Sequence, residues 1–184
     1  MTQITVPTRD EVSSENQAIF DNLQKQLGFV PNIYATIGHS DNALGAYLNF
    51  SQAQAKGSLT AKEREAISLV VSQVNNCRYC QSAHTVLGKM NGYTEDEIIE
   101  LRKGRNADAK IDSLVKLAKE IAVSRGKVSG ETLETFFAAG YSQGSLMDVT
   151  LAVTEITYTN LIHNITEIPI DFPIALDLNQ EAAA

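Results

Sequence analysis

The chain reads as an all-α protein, and three observations carry that reading. Apolar residues recur at three- and four-residue spacing through most segments. Residues that start and stop helices punctuate those segments. No run alternates apolar and polar side chains over a strand's length. At 184 residues, 43% hydrophobic and 20% charged, the composition is ordinary for one globular domain with a good core.

Taken in order, residues 1–10 read as extended, with Pro7 among β-branched neighbours. From Asp10 to Leu27, Val12, Ile19, Phe20, Leu23 and Leu27 keep helical spacing, and Gly28 supplies the stop. The segment GFVPNIYATIGHS reads as a connector punctuated by Gly28, Pro31 and Gly38. A second helix fits Asp41 to Lys56, with Leu44, Tyr47, Leu48 and Phe50 inward and Gly57 at its end.

Thr60 followed by Glu63 has the capping-box pattern. It opens a helix running to about Asn75 that is apolar nearly all round, at Ala66, Ile67, Leu69, Val70, Val71 and Val74. Such a helix is expected to be buried on most sides. Asn76 is expected to cap the next helix, Cys77 to about Asn91, which Gly92 closes.

A short helix, Thr94 to Lys103, and a polar link, Gly104 to Lys110, follow. Further helices fit Ile111–Arg125, Gly130–Ala139 and Ser142–Asn164. The tail EIPIDFPIALDLNQEAAA cannot be helical through Pro169 and Pro173, and is expected to pack as an extended arm on a surface or a neighbour. One domain over 1–184 is therefore expected. It comprises an N-terminal extension (about 1–57), a core hairpin (about 60–92), and C-terminal helices and tail (about 94–184).

Charge and patterning exclude several function classes. A net charge of −7 leaves no basic surface to neutralise phosphates, which excludes a nucleic-acid binder. No apolar run reaches the roughly 18 residues of a membrane span, and the N-terminus lacks the basic head and apolar run of a signal peptide. The expectation is a cytoplasmic enzyme that uses neither membrane nor cofactor.

The chemistry concentrates between Glu63 and Gly92. Both cysteines of the chain, Cys77 and Cys80, lie there as one C-x-x-C, with His84 four residues on and Glu65 twelve before Cys77. A structural disulfide gains stability by closing a long loop, and this spacing closes almost none. In a reducing compartment such a pair is catalytic or metal-binding. At a helix start both thiols would meet unpaired N–H groups and the positive end of the helix dipole, which favour thiolate.

If the two helices form an antiparallel hairpin, Glu65 and His84 differ in level by only about 4–5 Å. Glu65 shares its face with Ser68, Ser72 and Asn76, a polar stripe that would tolerate a carboxylate. The expected relay runs from Glu65 through His84 to Cys80, drawing the proton off the thiol. Plainer readings stand beside it. Glu65 could be a solvated first-turn acid, Tyr79 a packing residue, and the C-x-x-C half of a zinc site completed by His84 with His39 or His163. A second thiolate pair is missing, and the spacing of all four residues favours redox chemistry.

The pattern Glu65, Cys77, Tyr79, Cys80 and His84 resembles that of the alkylhydroperoxidase AhpD-like branch of the carboxymuconolactone decarboxylase family, with no departure at any of these positions. GFVPN at 28–32, the HS at 39–40 and NLIHNITEIPIDFP at 160–173 resemble its longer, peroxidase-related members, so the resemblance runs from Val6 to Pro173. It implies a helical AhpD-like fold assembled as a homo-oligomer, a trimer or hexamer. It also implies a thiol peroxidase acting on hydrogen peroxide or organic hydroperoxides. In that pattern Cys80 attacks the O–O bond, Cys77 resolves the sulfenic acid to a disulfide, Glu65 and His84 relay the proton, and Tyr79 lines the relay. A lipoyl group or thioredoxin-like protein would then restore the dithiol.

His163 shares a helix stripe with Leu146, Val149, Val153, Ile156 and Asn160. It reads as a core or interface histidine, or as a group near the dithiol from the same or a neighbouring subunit. The competing functions are a disulfide oxidoreductase or redox sensor, a carboxymuconolactone-type decarboxylase, which does not use this dithiol, and a zinc-binding oligomer.

Overall fold

A computed structural model of the protein describes residues 4–178, and every described regular element is helical. The readings for 1–3 and 179–184, the start of the extended segment and the end of the tail, lie outside the described residues. A 3₁₀ turn, Arg9–Glu11, precedes nine helices: α1 (Ser14–Leu27), α2 (Asn32–Ile37), α3 (Ala43–Gln54), α4 (Ala61–Val74), α5 (Arg78–Met90), α6 (Glu95–Lys103), α7 (Ala109–Ser124), α8 (Gly130–Ala138) and α9 (Gln143–Thr166).

Helix α4 is the axis of the fold, packed by α5, α6, α7 and α9. Its sequence dictates that place. Ala66, Ile67, Leu69, Val70 and Val71 are all fully buried, so the helix has no apolar side left for solvent. Its start is fixed by the capping box, in which Thr60 Oγ1 accepts from the Glu63 N–H and Glu63 Oε2 accepts from the Thr60 N–H at 2.8 Å. Glu63 is itself buried and takes a further bond, 2.7 Å, from the Tyr141 hydroxyl. Burial works against its charge, but these hydrogen bonds from Thr60 and Tyr141 prevail and hold the carboxyl below its usual range.

Several boundaries differ from the sequence reading, among them the following three. The helix expected from Asp10 begins at Ser14, because Ser13 supplies the N-cap and Val12 is extended. The connector over 28–40 contains helix α2, which Pro31 opens and Gly38 ends. A side chain at Gly38 would meet the Ala35 carbonyl at 2.8 Å and the Phe20 ring at 3.0 Å, so α1 and this turn approach too closely for any Cβ. Finally, α5 starts at Arg78, one residue later than expected.

The tail runs without regular structure along its own chain. Asn32 donates to the Pro169 carbonyl and, through its N–H, to Asp171. Ser82 accepts from the Ala175 N–H, and Arg78 and Arg102 donate to the carbonyls of Ala175 and Leu176. The arm thus lies over α5 and α2. No described helix is long and apolar enough to cross a membrane.

Candidate active site

The turn between α4 and α5 builds the site. Asn76 takes a left-handed conformation, φ +52°, which asparagine tolerates better than most residues, and the Cys77 N–H reaches back to the Ser72 carbonyl at 3.0 Å. This reversal makes Cys77 the N-cap of α5, the position expected for Asn76. The thiol does what a serine oxygen does at other caps: Cys77 Sγ accepts from the Cys80 N–H at 3.2 Å. Both cysteines are free thiols, Cys77 fully buried and Cys80 nearly so.

The two thiols therefore do not share one tendency to ionise. Cys77 is held low, at about 5, first by its hydrogen bond with the Cys80 side chain and, against burial, by His163 and the Cys80 N–H. Cys80 is pushed well above the ordinary thiol value, because an ionised Cys77 beside it accepts a hydrogen bond from its S–H, because it is buried, and because Cys77 repels a second negative charge. The expectation that the helix start would favour thiolate at both sulfurs is corrected in this respect. Loss of the proton from one thiol therefore opposes its loss from the other.

Helix α9 closes over this turn. Cys80 Sγ donates to Thr159 Oγ1 at 3.8 Å. Asn160, fully buried, accepts from Asn75 and donates to Ser72 Oγ, and Asn164 donates to the Asn75 carbonyl at 2.7 Å. His163 follows on the same face, with its ring 5.5 Å from that of Tyr79. Sequence spacing grouped Asn160 and His163 but gave no sign of Thr159, since nothing local links 159 with 80.

On the hairpin itself, His84 Nδ1 lies 2.8 Å from Glu65 Oε2, and the carboxyl oxygen accepts from the ring N–H. Gln81 reaches the Ser72 carbonyl nearer the turn, so the contacts run in antiparallel sense. Burial alone would depress the imidazole, but the Glu65 charge and hydrogen bond outweigh it and hold His84 above its ordinary value.

Tyr79 is placed otherwise than a relay residue. Its hydroxyl accepts from the Ile33 N–H at 3.3 Å, and its ring packs edge-on to Phe172. Burial, then the neighbouring Asp171, raise its pKa. This is packing between α5, α2 and the tail. His39, a candidate zinc ligand, bonds the Thr5 carbonyl instead, and no group of three or more metal-ligating side chains occurs among the described residues.

A second missed feature is a tyrosine cluster. Tyr34 on α2 packs on Tyr47 of α3 at 5.8 Å, and Tyr47 stacks on Tyr158 of α9 at 5.5 Å. Burial, then Glu155, raises Tyr34; burial, then Tyr34 and Glu155, raises Tyr47. Cys80 contributes to raising both hydroxyls, and Tyr158 precedes the Thr159 that bonds Cys80, so the cluster lies near the dithiol. A cleft of about 280 Å³ lined by Val6, Arg9, Asp21 and Asn32 contains none of the candidate residues.

Residues 41–123, from before α3 through most of α7, match the model of the carboxymuconolactone decarboxylase family. Among solved structures, the alkylhydroperoxidase AhpD core of an uncharacterized peroxidase-related protein from Ralstonia eutropha JMP134 superposes with a TM-score of 0.82 at 19% identity, covering 93% of this chain and 94% of that one. An uncharacterized peroxidase-related protein from Silicibacter sp. TM1040 gives 0.79 at 20% identity, covering 91% and 92%. The debrominase Bmp8, in a Cys→Ala form complexed with 2,3,4-tribromopyrrole, gives 0.78 at 15% identity, covering 93% and 92%. The fold is AhpD-like. No curated protein matches this chain in sequence.

Proposed function

We propose that this chain, related to the carboxymuconolactone decarboxylase family through residues 41–123 and AhpD-like in fold, is a thiol-dependent peroxidase that reduces hydrogen peroxide or organic hydroperoxides. One observation carries the reading: two free thiols at a helix N-cap, on the same hairpin as a hydrogen-bonded Glu65–His84 pair. A thiolate attacks the distal peroxide oxygen, so an S–O bond forms as the O–O bond breaks, and the alkoxide takes a proton to leave as alcohol. The second thiol displaces hydroxide from the sulfenic acid, and water and the Cys77–Cys80 disulfide result. Glu65 and His84 supply and recover protons. A slender dithiol such as a lipoyl group, or a thioredoxin-like protein, then returns two electrons.

The burial of both sulfurs favours a small oxidant over a protein disulfide as first reactant, which supports peroxidase turnover against the disulfide-oxidoreductase or redox-sensor reading. A cytoplasmic location fits free thiols. Assembly as a trimer or hexamer is supported by the outer face of α9, where Met147, Leu161 and Ile165 are exposed on a stripe continued by Leu151 and Tyr158. Light scattering tests it.

The tyrosine cluster favours a second reading. Rings of Tyr34, Tyr47 and Tyr158 beside the dithiol suit an aromatic substrate, and reductive debromination also consumes two thiols, yielding the arene, bromide, a proton and a disulfide. Turnover of cumene hydroperoxide and of a brominated pyrrole, with dihydrolipoamide as reductant, separates the two. Hydroperoxide turnover without bromide release supports the first; bromide release with inert hydroperoxide replaces it with the second.

A further inference from the structure

We propose that the stacked rings of Tyr34, Tyr47 and Tyr158 are the platform on which an organic hydroperoxide rests its substituent, and that they select an uncharged aryl hydroperoxide over small alkyl or anionic ones. The inference rests on the peroxidase reading for the reacting group, and narrows it from hydroperoxides in general to one chemical class.

Both ends of the stack are tied to the dithiol turn by contacts. At one end, Tyr158 precedes Thr159, whose hydroxyl accepts from Cys80 Sγ at 3.8 Å. At the other, Tyr34 follows Ile33, whose N–H donates to the Tyr79 hydroxyl at 3.3 Å, and Tyr79 precedes Cys80. Neighbouring Cα atoms are about 3.8 Å apart, so each end lies one residue from a group that touches the first turn of α5. Tyr47 joins the two ends. Its ring is 5.8 Å from that of Tyr34 and 5.5 Å from that of Tyr158, with the latter pair inclined by only 27°.

The rings are open where the sulfurs are closed. Cys77 and Cys80 are buried, and so are Thr159 and Asn160 of α9 beside them. The three tyrosines come from α2, α3 and α9, reach one another, and still keep part of their surface exposed. Aromatic surface left open beside a closed dithiol gives an apolar substituent a place to leave water. A further ring meets such a surface offset or edge-on, with centroids about 4.5–7 Å apart, and gains more than its buried area alone supplies. A methyl or tert-butyl group lacks that gain.

Charge narrows the class further. Glu155 lies one turn before Tyr158 and Thr159, hence on their side of α9, and is half-buried. Burial first, with the Glu155 charge among the further causes, raises the hydroxyls of Tyr34 and Tyr47, in keeping with this placement. Glu65 stands across the site on α4, bonded to His84. Carboxylates bordering the rings, in a chain of net charge −7, repel a substrate that carries a carboxylate of its own.

The test separates binding from turnover. Cumyl alcohol, the product that cumene hydroperoxide leaves, is titrated into the reduced protein beside tert-butanol and para-carboxy cumyl alcohol. Selective labelling of the six tyrosines lets nuclear magnetic resonance follow each ring. The inference expects shifts at Tyr34, Tyr47 and Tyr158 with cumyl alcohol, and binding of the other two alcohols weaker by about tenfold. Tyr158→Leu should weaken cumyl alcohol by about three- to tenfold. Shifts confined to other tyrosines, equal binding of the three alcohols, or a folded Tyr158→Leu that binds as the parent does overturns it. Should that variant not fold, the shifts in the unsubstituted protein decide alone. The ratio of kcat/KM for cumene hydroperoxide to that for tert-butyl hydroperoxide is then measured, and should exceed one in the parent and fall in Tyr158→Leu. Turnover of both at equal kcat/KM, without tyrosine shifts, overturns the platform and leaves the peroxidase reading standing. Shifts at the three rings without turnover of either hydroperoxide keep the platform and overturn the peroxidase reading.

Discussion

His84 Nδ1 donates to Glu65 Oε2 at 2.8 Å across the α4–α5 hairpin, and both side chains keep less than a fifth of their surface exposed. A carboxylate of α4 is therefore tied to the one imidazole of α5. Because Glu65 raises the folded-state pKa of His84 above its ordinary 6.5, the pair stabilises the protein fully below that value and progressively less as pH rises through the folded value. Thermal midpoints measured from mildly acid to mildly alkaline pH should fall across this window. Glu65→Gln should flatten that fall and lower the acid-side stability by about 1–3 kcal/mol. An unchanged pH profile in the variant contradicts the coupling.

Cys77 is both cap and thiol, and the two roles separate by substitution. Serine is a good N-cap, so Cys77→Ser should keep α5 and leave the thermal midpoint within a few degrees. It should nevertheless bring hydroperoxide turnover down to the level of the buffer, because no partner remains for the disulfide. Cys77→Ala should lose the reaction equally and cost about 1 kcal/mol more in denaturant unfolding. Equal stability of the two variants would show that the sulfur does not cap.

The left-handed turn at Asn76 sets where the cysteines fall relative to the helix. Asn76→Gly should be tolerated with little loss, since glycine adopts positive φ freely, whereas Asn76→Val should cost about 1–2 kcal/mol. Chemical denaturation of the two variants reads this directly.

Much of this architecture is legible in the residues, and its failures are local. The Thr60–Glu63 capping box and the apolar girth of α4 announce a central helix. The pairing of Glu65 with His84 follows from counting residues to a tight turn. What spacing cannot show is conformation at single positions. Asn before Cys looks like a cap, but a left-handed Asn76 hands that role to the thiol. Pro31 and Gly38 look like connector punctuation, yet they bound a six-residue helix too short to show a period. Thr159 and the Tyr34–Tyr47–Tyr158 cluster come to the dithiol by tertiary packing of α2, α3 and α9, for which the chain carries no local signal.

Arg102 holds the tail to the core. Almost wholly buried on α6, it donates to Gln73 at 3.0 and 2.8 Å, to Gln81 at 3.1 Å and to the Leu176 carbonyl at 2.8 Å. Arg102→Met should cost about 2–4 kcal/mol, since several charge-assisted bonds vanish and the side-chain oxygens of Gln73 and Gln81 lose a donor. Limited proteolysis should then cut near Leu176 sooner than in the parent protein. Parent-like protection would mean that the other contacts, those of Asn32, Ser82 and Arg78 among them, suffice to anchor the arm.

The central claim is that Cys77 and Cys80 act as a dithiol toward peroxide. Its most direct test adds one equivalent of cumene hydroperoxide to the pre-reduced protein and maps the products by peptide mass spectrometry. Both thiols should be lost rapidly, with one intramolecular Cys77–Cys80 disulfide formed per hydroperoxide consumed. Thiols that remain reduced while the hydroperoxide persists would contradict it.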